Sequence, residues 1–276
     1  MCWSLRREAL IQGFLNTMRA QFPVVFLESG GPGARNRFLQ PPGDLLNDII
    51  GWDVRNWSRC LDYWQPWLDG MDRDRAKVLV LGERNGGLSL WLALQGFTVL
   101  CTDFKNPEPR AGLLHRRWKV QDKVSYAAID AFSIQYPDDH FDVVACKSVI
   151  GGLKLEYKLA STRSLVNQKL AVEEIRRVLK PGGVILGAEN LAATSVHQAL
   201  RRFRHKGRIG WRYLRIHEIQ WLFENYSECE QCPYGFIGTH WTRLFGLNRL
   251  FSSMDRCFSQ ILPPNWLYIS FIRGQK

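Results

Sequence analysis

Along residues 77–190 short, wholly apolar runs alternate with segments of helical spacing. KVLVLG, from Lys77, is a strand without polar interruption, as expected where both faces of a parallel sheet are covered. LSLWLAL follows as a helix and FTVLCTD as a second strand. A helical run opens at Pro107 and Pro109 and continues through Trp118. KVSYAAID reads as strand three and FDVVACK as strand four. Asn167 to Leu179 reads as a helix ending at KPGG, and VILGAEN as strand five. Strict alternation of strand and helix predicts an α/β architecture, a doubly wound and mostly parallel sheet.

The flanks are less regular. Trp3 to Phe22 carries apolar residues at helical spacing, and Glu28 to Asp44 is a Gly- and Pro-rich loop or linker. A second amphipathic helix would place Val54, Trp57, Leu61, Trp64 and Leu68 on one face. After Asn190, helices are expected at His197–His205 and His217–Asn225, strands at Cys229–Ile237 and Trp266–Ile272, and a helical insertion at Leu244–Leu262. The expected domains are an N-terminal helical extension and linker over residues 1–52, then a domain over 53–276 with substrate-facing insertions after residue 190.

Composition changes the picture in two places. Eleven Trp is high for 276 residues, and reads as large packing residues with some available as a flat wall beside a ligand. The net charge of +11 is concentrated between Arg201 and Arg215, where seven Lys or Arg stand without an acidic residue. Such a field gathers anionic partners, although a solvated helical face would read the same way. The seven Cys (Cys2, Cys60, Cys101, Cys146, Cys229, Cys232, Cys257) are scattered and odd in number, which suggests reduced thiols. Cys229 and Cys232 form one C-x-x-C without a second pair to complete a zinc site, so no metal is expected. No stretch approaches the ~20 apolar residues of a membrane-spanning helix. A cytoplasmic protein is expected; its oligomeric state is left open.

Chemistry gathers at the strand ends. Strand one runs into GERNGGLSL, where Gly82 and Gly86 allow a ligand close to the backbone and the helix N-terminus offers unpaired N–H groups. Asp103 ends strand two, placed to accept hydrogen bonds from both hydroxyls of a ribose. Asp130 ends strand three, ahead of FDVV. These elements, with EIRRVLKPGG, resemble class I S-adenosylmethionine-dependent methyltransferases of Rossmann-like fold over roughly Arg55 to Asn190.

The resemblance implies S-adenosyl-L-methionine as cofactor. It assigns the turn of Gly82, Glu83, Arg84 and Gly86 to the methionine part, and Asp103, with Phe104 beside it, to the ribose. Asp130 and the Ala131 N–H fall to the adenine, and Lys147 and Ser148 to the transfer centre. Two departures stand out: Val80 and Arg84 occupy places where the family often has an acidic residue and a Gly. Arg84 also breaks the G-x-G-x-x-G of nicotinamide-dependent oxidoreductases, which argues against that rival. A non-catalytic Rossmann-like module is a further alternative, opposed by the two carboxylates.

The expected acceptor is a small or lipid-linked, anionic molecule such as a saccharide, methylated on oxygen, since the chain is similar to methyltransferases of polysaccharide assembly. Nucleic acid is the alternative, because Phe203, Trp211 and Tyr213 interleave with the cations. An oxygen acceptor needs a base, and Glu189, His197 and Lys147 are the candidates.

Overall fold

The structure, a computed structural model, describes residues 42–153, 162–204, 211–238 and 248–276. The expected helix over Trp3–Phe22, the start of the 28–44 loop and the first residues of the 244–262 insertion lie outside these residues. Among the described residues seven strands form one sheet: β1 (Lys77–Leu81), β2 (Thr98–Asp103), β3 (Val124–Ala128), β4 (Phe141–Lys147), β5 (Leu179–Asn190), β6 (Glu228–Tyr234) and β7 (Ile269–Gln275). Their order is β3-β2-β1-β4-β5-β7-β6. β1 to β5 are mutually parallel, and β7 runs antiparallel to both β5 and β6.

The inner strands are largely apolar because their side chains alternate between two cores, whereas β6 at the sheet edge is mostly polar. Val78 and Val80, with Val99, Cys101, Val143 and Ala145, face one core. Leu79 and Leu81, with Val144, Cys146 and Ile185, face the other. On the first face lie α1 (Pro42–Ile50), α2 (Val54–Trp57), α3 (Arg59–Asp69) and α4 (Gly87–Leu94). α5 (Glu108–Arg117) joins them through Ala111. α6 (Thr162–Val178) and α8 (Ile216–Leu222) cover the second face, and α7 (Ser195–Arg204) lies between them in sequence. α9 (Asn248–Ile261) precedes β7.

Three expectations are corrected. The loop expected to run to Asp44 gives way at Pro42 to a helix that continues to Ile50. Proline is tolerated in a first turn, whose N–H groups lack partners anyway, and Asp44 there complements the helix dipole. The single helix expected from Val54 to Leu68 is two, divided at Ser58, although Trp57, Leu61, Trp64 and Leu68 are buried as the periodicity required. KPGG belongs to β5, where pairing with β4 skips from Phe141–Leu179 to Val143–Val184 and Gly182 takes a φ of +77°.

Candidate active site

Because β1 to β4 run in parallel, their carboxyl ends bring Gly82, Asp103, Asp130 and Lys147 to one edge of the sheet. Gly82 turns the chain out of β1 at a φ of +67°, and a Cβ there would stand 2.4 Å from Val149 Cγ2. The positive φ and the neighbouring Val149 side chain both require a residue without a Cβ here. Gly86, at +78°, begins α4, and a Cβ there would meet His115 Nε2 at 2.7 Å. His115 is fully buried and donates from Nε2 to Gly86 O at 2.9 Å, while Nδ1 accepts from the Tyr126 hydroxyl at 2.7 Å. Burial lowers its pKa, which keeps the ring neutral in that donor–acceptor arrangement.

Glu83 turns inward. Its carboxylate accepts from the N–H groups of Leu88 (3.0 Å) and Ser89 (2.8 Å), so it caps α4 rather than reaching toward a ligand. Burial raises its pKa, and the two N–H groups oppose that. Arg84, by contrast, is exposed at the turn.

At the end of β2 the Asp103 Oδ1 accepts from Phe104 N at 2.8 Å, leaving Oδ2 without a partner among the described residues. Phe104 is 72% exposed, a bare ring beside a carboxylate. At the end of β3 the Asp130 Oδ1 accepts from Phe132 N at 3.0 Å, which closes a small turn and leaves Ala131 within it. An exposed ring, a carboxylate oxygen in need of donors, and a glycine turn on adjacent strand ends suit a nucleoside carrying a charged tail. The residues present therefore fit S-adenosylmethionine.

The far half of the edge departs from expectation. Glu189 is fully buried and accepts from Val149 N and Ile150 N, both at 2.7 Å, and from Gly151 N at 3.3 Å. It fastens the loop after β4 to the end of β5, and burial pushes its carboxyl up to about 7 against those three donors. His197 is engaged at both nitrogens, accepting from Thr194 Oγ1 at 2.7 Å and donating to Phe236 O at 2.6 Å. Neither side chain is presented to an acceptor, so both are corrected from candidate bases to structural ties.

Lys147 remains. Its ammonium donates to Ile50 O at 2.9 Å, the last carbonyl of α1, and lies 3.3 Å from the centre of the Trp52 ring. Burial lowers its pKa to about 8, opposed by Cys60, Glu83 and Glu189. Ser148, next in sequence, holds a strained φ of +57° and receives a hydrogen bond from Asn190 Nδ2 at 2.7 Å. Past Asn190 a cavity of about 300 Å³ opens among Leu191, Ala192, Leu214, Ile216, Gln198 and Asn265.

The cationic stretch is partly spent on the fold. Arg212 forms a two-pronged pair with Glu218, and Arg201 donates to Leu191 O at 2.7 Å with its guanidinium over the Tyr213 ring. Seven uncompensated charges were expected; the structure removes Arg212 from that count. The side chains of Arg204, Lys206 and Arg208 lie outside the described residues. Cys229 and Cys232 sit three apart on β6, which sends them to opposite faces, and no metal-binding cluster occurs among the described residues.

Two features escaped the sequence. His115 and Tyr126 support the glycine turn from 29 and 40 residues away. A buried network joins Asn56 to Asp255 (2.6 Å) and to the Tyr268 hydroxyl (2.8 Å), which in turn donates to Asp53. Only the Trp count gave a signal for Trp52.

Residues 79–187 match the family model described as "Methyltransferase domain". A ubiquinone/menaquinone biosynthesis C-methyltransferase of Shewanella frigidimarina is 29% identical over 168 residues, 58% of each chain. A demethylmenaquinone methyltransferase of Clavibacter sepedonicus is 32% identical over 113 residues, 41% of this chain and 40% of that one. The chain thus spans about half the length of these curated relatives. Among solved structures, the phosphoethanolamine N-methyltransferase 2 of Haemonchus contortus in complex with S-adenosyl-L-methionine superposes with a TM-score of 0.55. It is 15% identical, with 93% of this chain and 56% of that one covered. The fold is Rossmann-like, and residues 79–187 are similar to a methyltransferase domain.

Proposed function

We propose that this methyltransferase domain makes the whole protein an enzyme for a small molecule bearing an acidic hydroxyl on an aromatic or enolic ring, with Lys147 assisting the transfer. The observation that carries the acceptor reading is the Lys147 ammonium, buried against Trp52 with its pKa near 8 at the carboxyl end of β4. The names of the curated relatives, which point to quinone-type C-methyltransferases, support the same chemistry. Anionic glycan O-methylation, the expectation from the basic stretch, finds no support in them.

When bound, the sulfonium supplies an electrophilic methyl group and departs as a neutral thioether. In the proposed step, neutral Lys147 takes the proton of the acceptor hydroxyl. The charge released on that oxygen, or on the ring carbon conjugated with it, attacks the methyl. An in-line displacement gains most from positioning and from excluded water. Asp103 and Phe104 would hold the nucleoside end, the Gly82 turn would face the methionine part, and Trp52 would cover the lysine.

Turnover should therefore rise with pH through about 8, as Lys147 loses its proton. Lys147→Met should remove that rise and lower kcat by roughly 10²–10⁴-fold, with little change in cofactor affinity. Transfer of a labelled methyl group to a panel of phenolic and enolic acceptors, followed against pH, measures both. A Lys147→Met variant with wild-type rates and the same profile would remove Lys147 from the chemistry.

A further inference from the structure

α7 has two unlike sides. His197 and Arg201, one turn apart, point inward to Phe236 O and Leu191 O. On the other side Val196, Leu200 and Phe203, at helical spacing, are 64%, 39% and 85% exposed. Ala199 is exposed with them. A helix that leaves its apolar side to water and its polar side on the protein is the reverse of a core-packing helix. Arg202 is exposed beside the apolar stripe, and the sequence through Arg215 adds further cations without one acid.

We propose that α7 is a membrane-surface anchor, seated with Val196, Leu200 and Phe203 in the headgroup region of an anionic lipid bilayer. Interfacial helices combine an apolar face, basic flanks and low overall hydrophobicity. Cationic side chains beside such a face draw it to negative lipid at about 1 kcal/mol each, near the surface. The aliphatic residues decide against nucleic acid: Val196 and Leu200 offer a phosphate backbone nothing, whereas they gain by leaving water in a bilayer. Gln198, on the same helix, lines the cavity past Asn190 together with the apolar Leu191, Ala192, Leu214 and Ile216 and the polar Arg215, His217 and Asn265. A helix lying in the interface would bring that cavity close to the bilayer surface. This inference stands apart from the proposed chemistry, because binding to a bilayer requires neither cofactor nor acceptor.

The test is co-sedimentation of the full chain with vesicles of phosphatidylcholine alone or mixed with phosphatidylglycerol. Binding to the mixed vesicles is expected, weakened by salt. The double variant Leu200→Ser/Phe203→Ser should bind at least ~10-fold more weakly, and Arg202→Gln roughly fivefold. All three side chains are exposed, so thermal stability should be unaltered. Equal binding of the double variant and the wild type would overturn the inference, as would absence of binding to anionic vesicles. So would preferential binding of duplex RNA or DNA competed away by salt. A loss of thermal stability in the double variant with vesicle binding intact would assign this face to a contact within the chain, and would overturn it too.

Discussion

Replacing Asp103 by alanine is expected to weaken S-adenosylmethionine binding by about 1.5–3 kcal/mol, roughly 10- to 150-fold, because hydrogen bonds to a charged group are lost. The Oδ2 oxygen, without a partner among the described residues, and the neighbouring exposed Phe104 motivate the expectation. Asp103 is half-exposed and its side chain's one hydrogen bond among the described residues is local, so the variant should melt at the wild-type temperature. Titration calorimetry on the folded variant decides the matter. Unchanged affinity would take Asp103 out of the site, whatever its place at the end of β2.

The second large effect concerns stability. Glu189→Ala leaves the buried N–H groups of Val149, Ile150 and Gly151 without their acceptor. It should therefore destabilise the protein by about 3–5 kcal/mol, measured by denaturant unfolding. The same carboxyl sets a pH dependence. Its folded pKa, about 7, lies above the ordinary 4.5, so the folded state holds a proton that the unfolded chain releases. Its contribution is full below about pH 4.5 and is lost as pH rises through about 7, on the order of 3 kcal/mol across that window. Glu189→Gln abolishes this titration, so its unfolding free energy should lack that decline while its turnover stays close to wild type. Wild-type stability with a loss of turnover of a hundredfold or more would restore Glu189 as a base.

Much of the fold is visible in the sequence because the physics acting there is local. Lys77–Leu81 is apolar at every interior position, which only a strand covered on both faces requires, and the structure shows Val78 and Leu79 feeding opposite cores. The place of Asp103 at the carboxyl end of β2 was legible because an acid ends an apolar strand. What failed was the direction of side chains at strand ends. Glu189 and Asp103 both end parallel strands, yet one is wholly buried beneath the β4 loop and the other is open to solvent. The difference is made by the path of residues 149–151, which the residues around Glu189 do not encode. Glu83 follows the same logic: as an acid in a glycine turn it read as a ligand contact, but the N–H groups of α4 claimed it. His115 was invisible because its partner, Gly86 O, belongs to another crossover unit. α1 was missed because Pro42 and Gly43 outweighed the apolar spacing of Leu45, Ile49 and Ile50 behind them.

The central claim is that the carboxyl edge of β1 to β3 holds S-adenosylmethionine. Calorimetric titration of the purified full chain with S-adenosylmethionine, with S-adenosylhomocysteine and with NAD measures it most directly. One saturable site for each of the two sulfur nucleosides is expected, lost or strongly weakened in Asp103→Ala, with no heat from NAD. A chain that binds neither sulfur nucleoside, or that binds NAD in their place, would contradict the account.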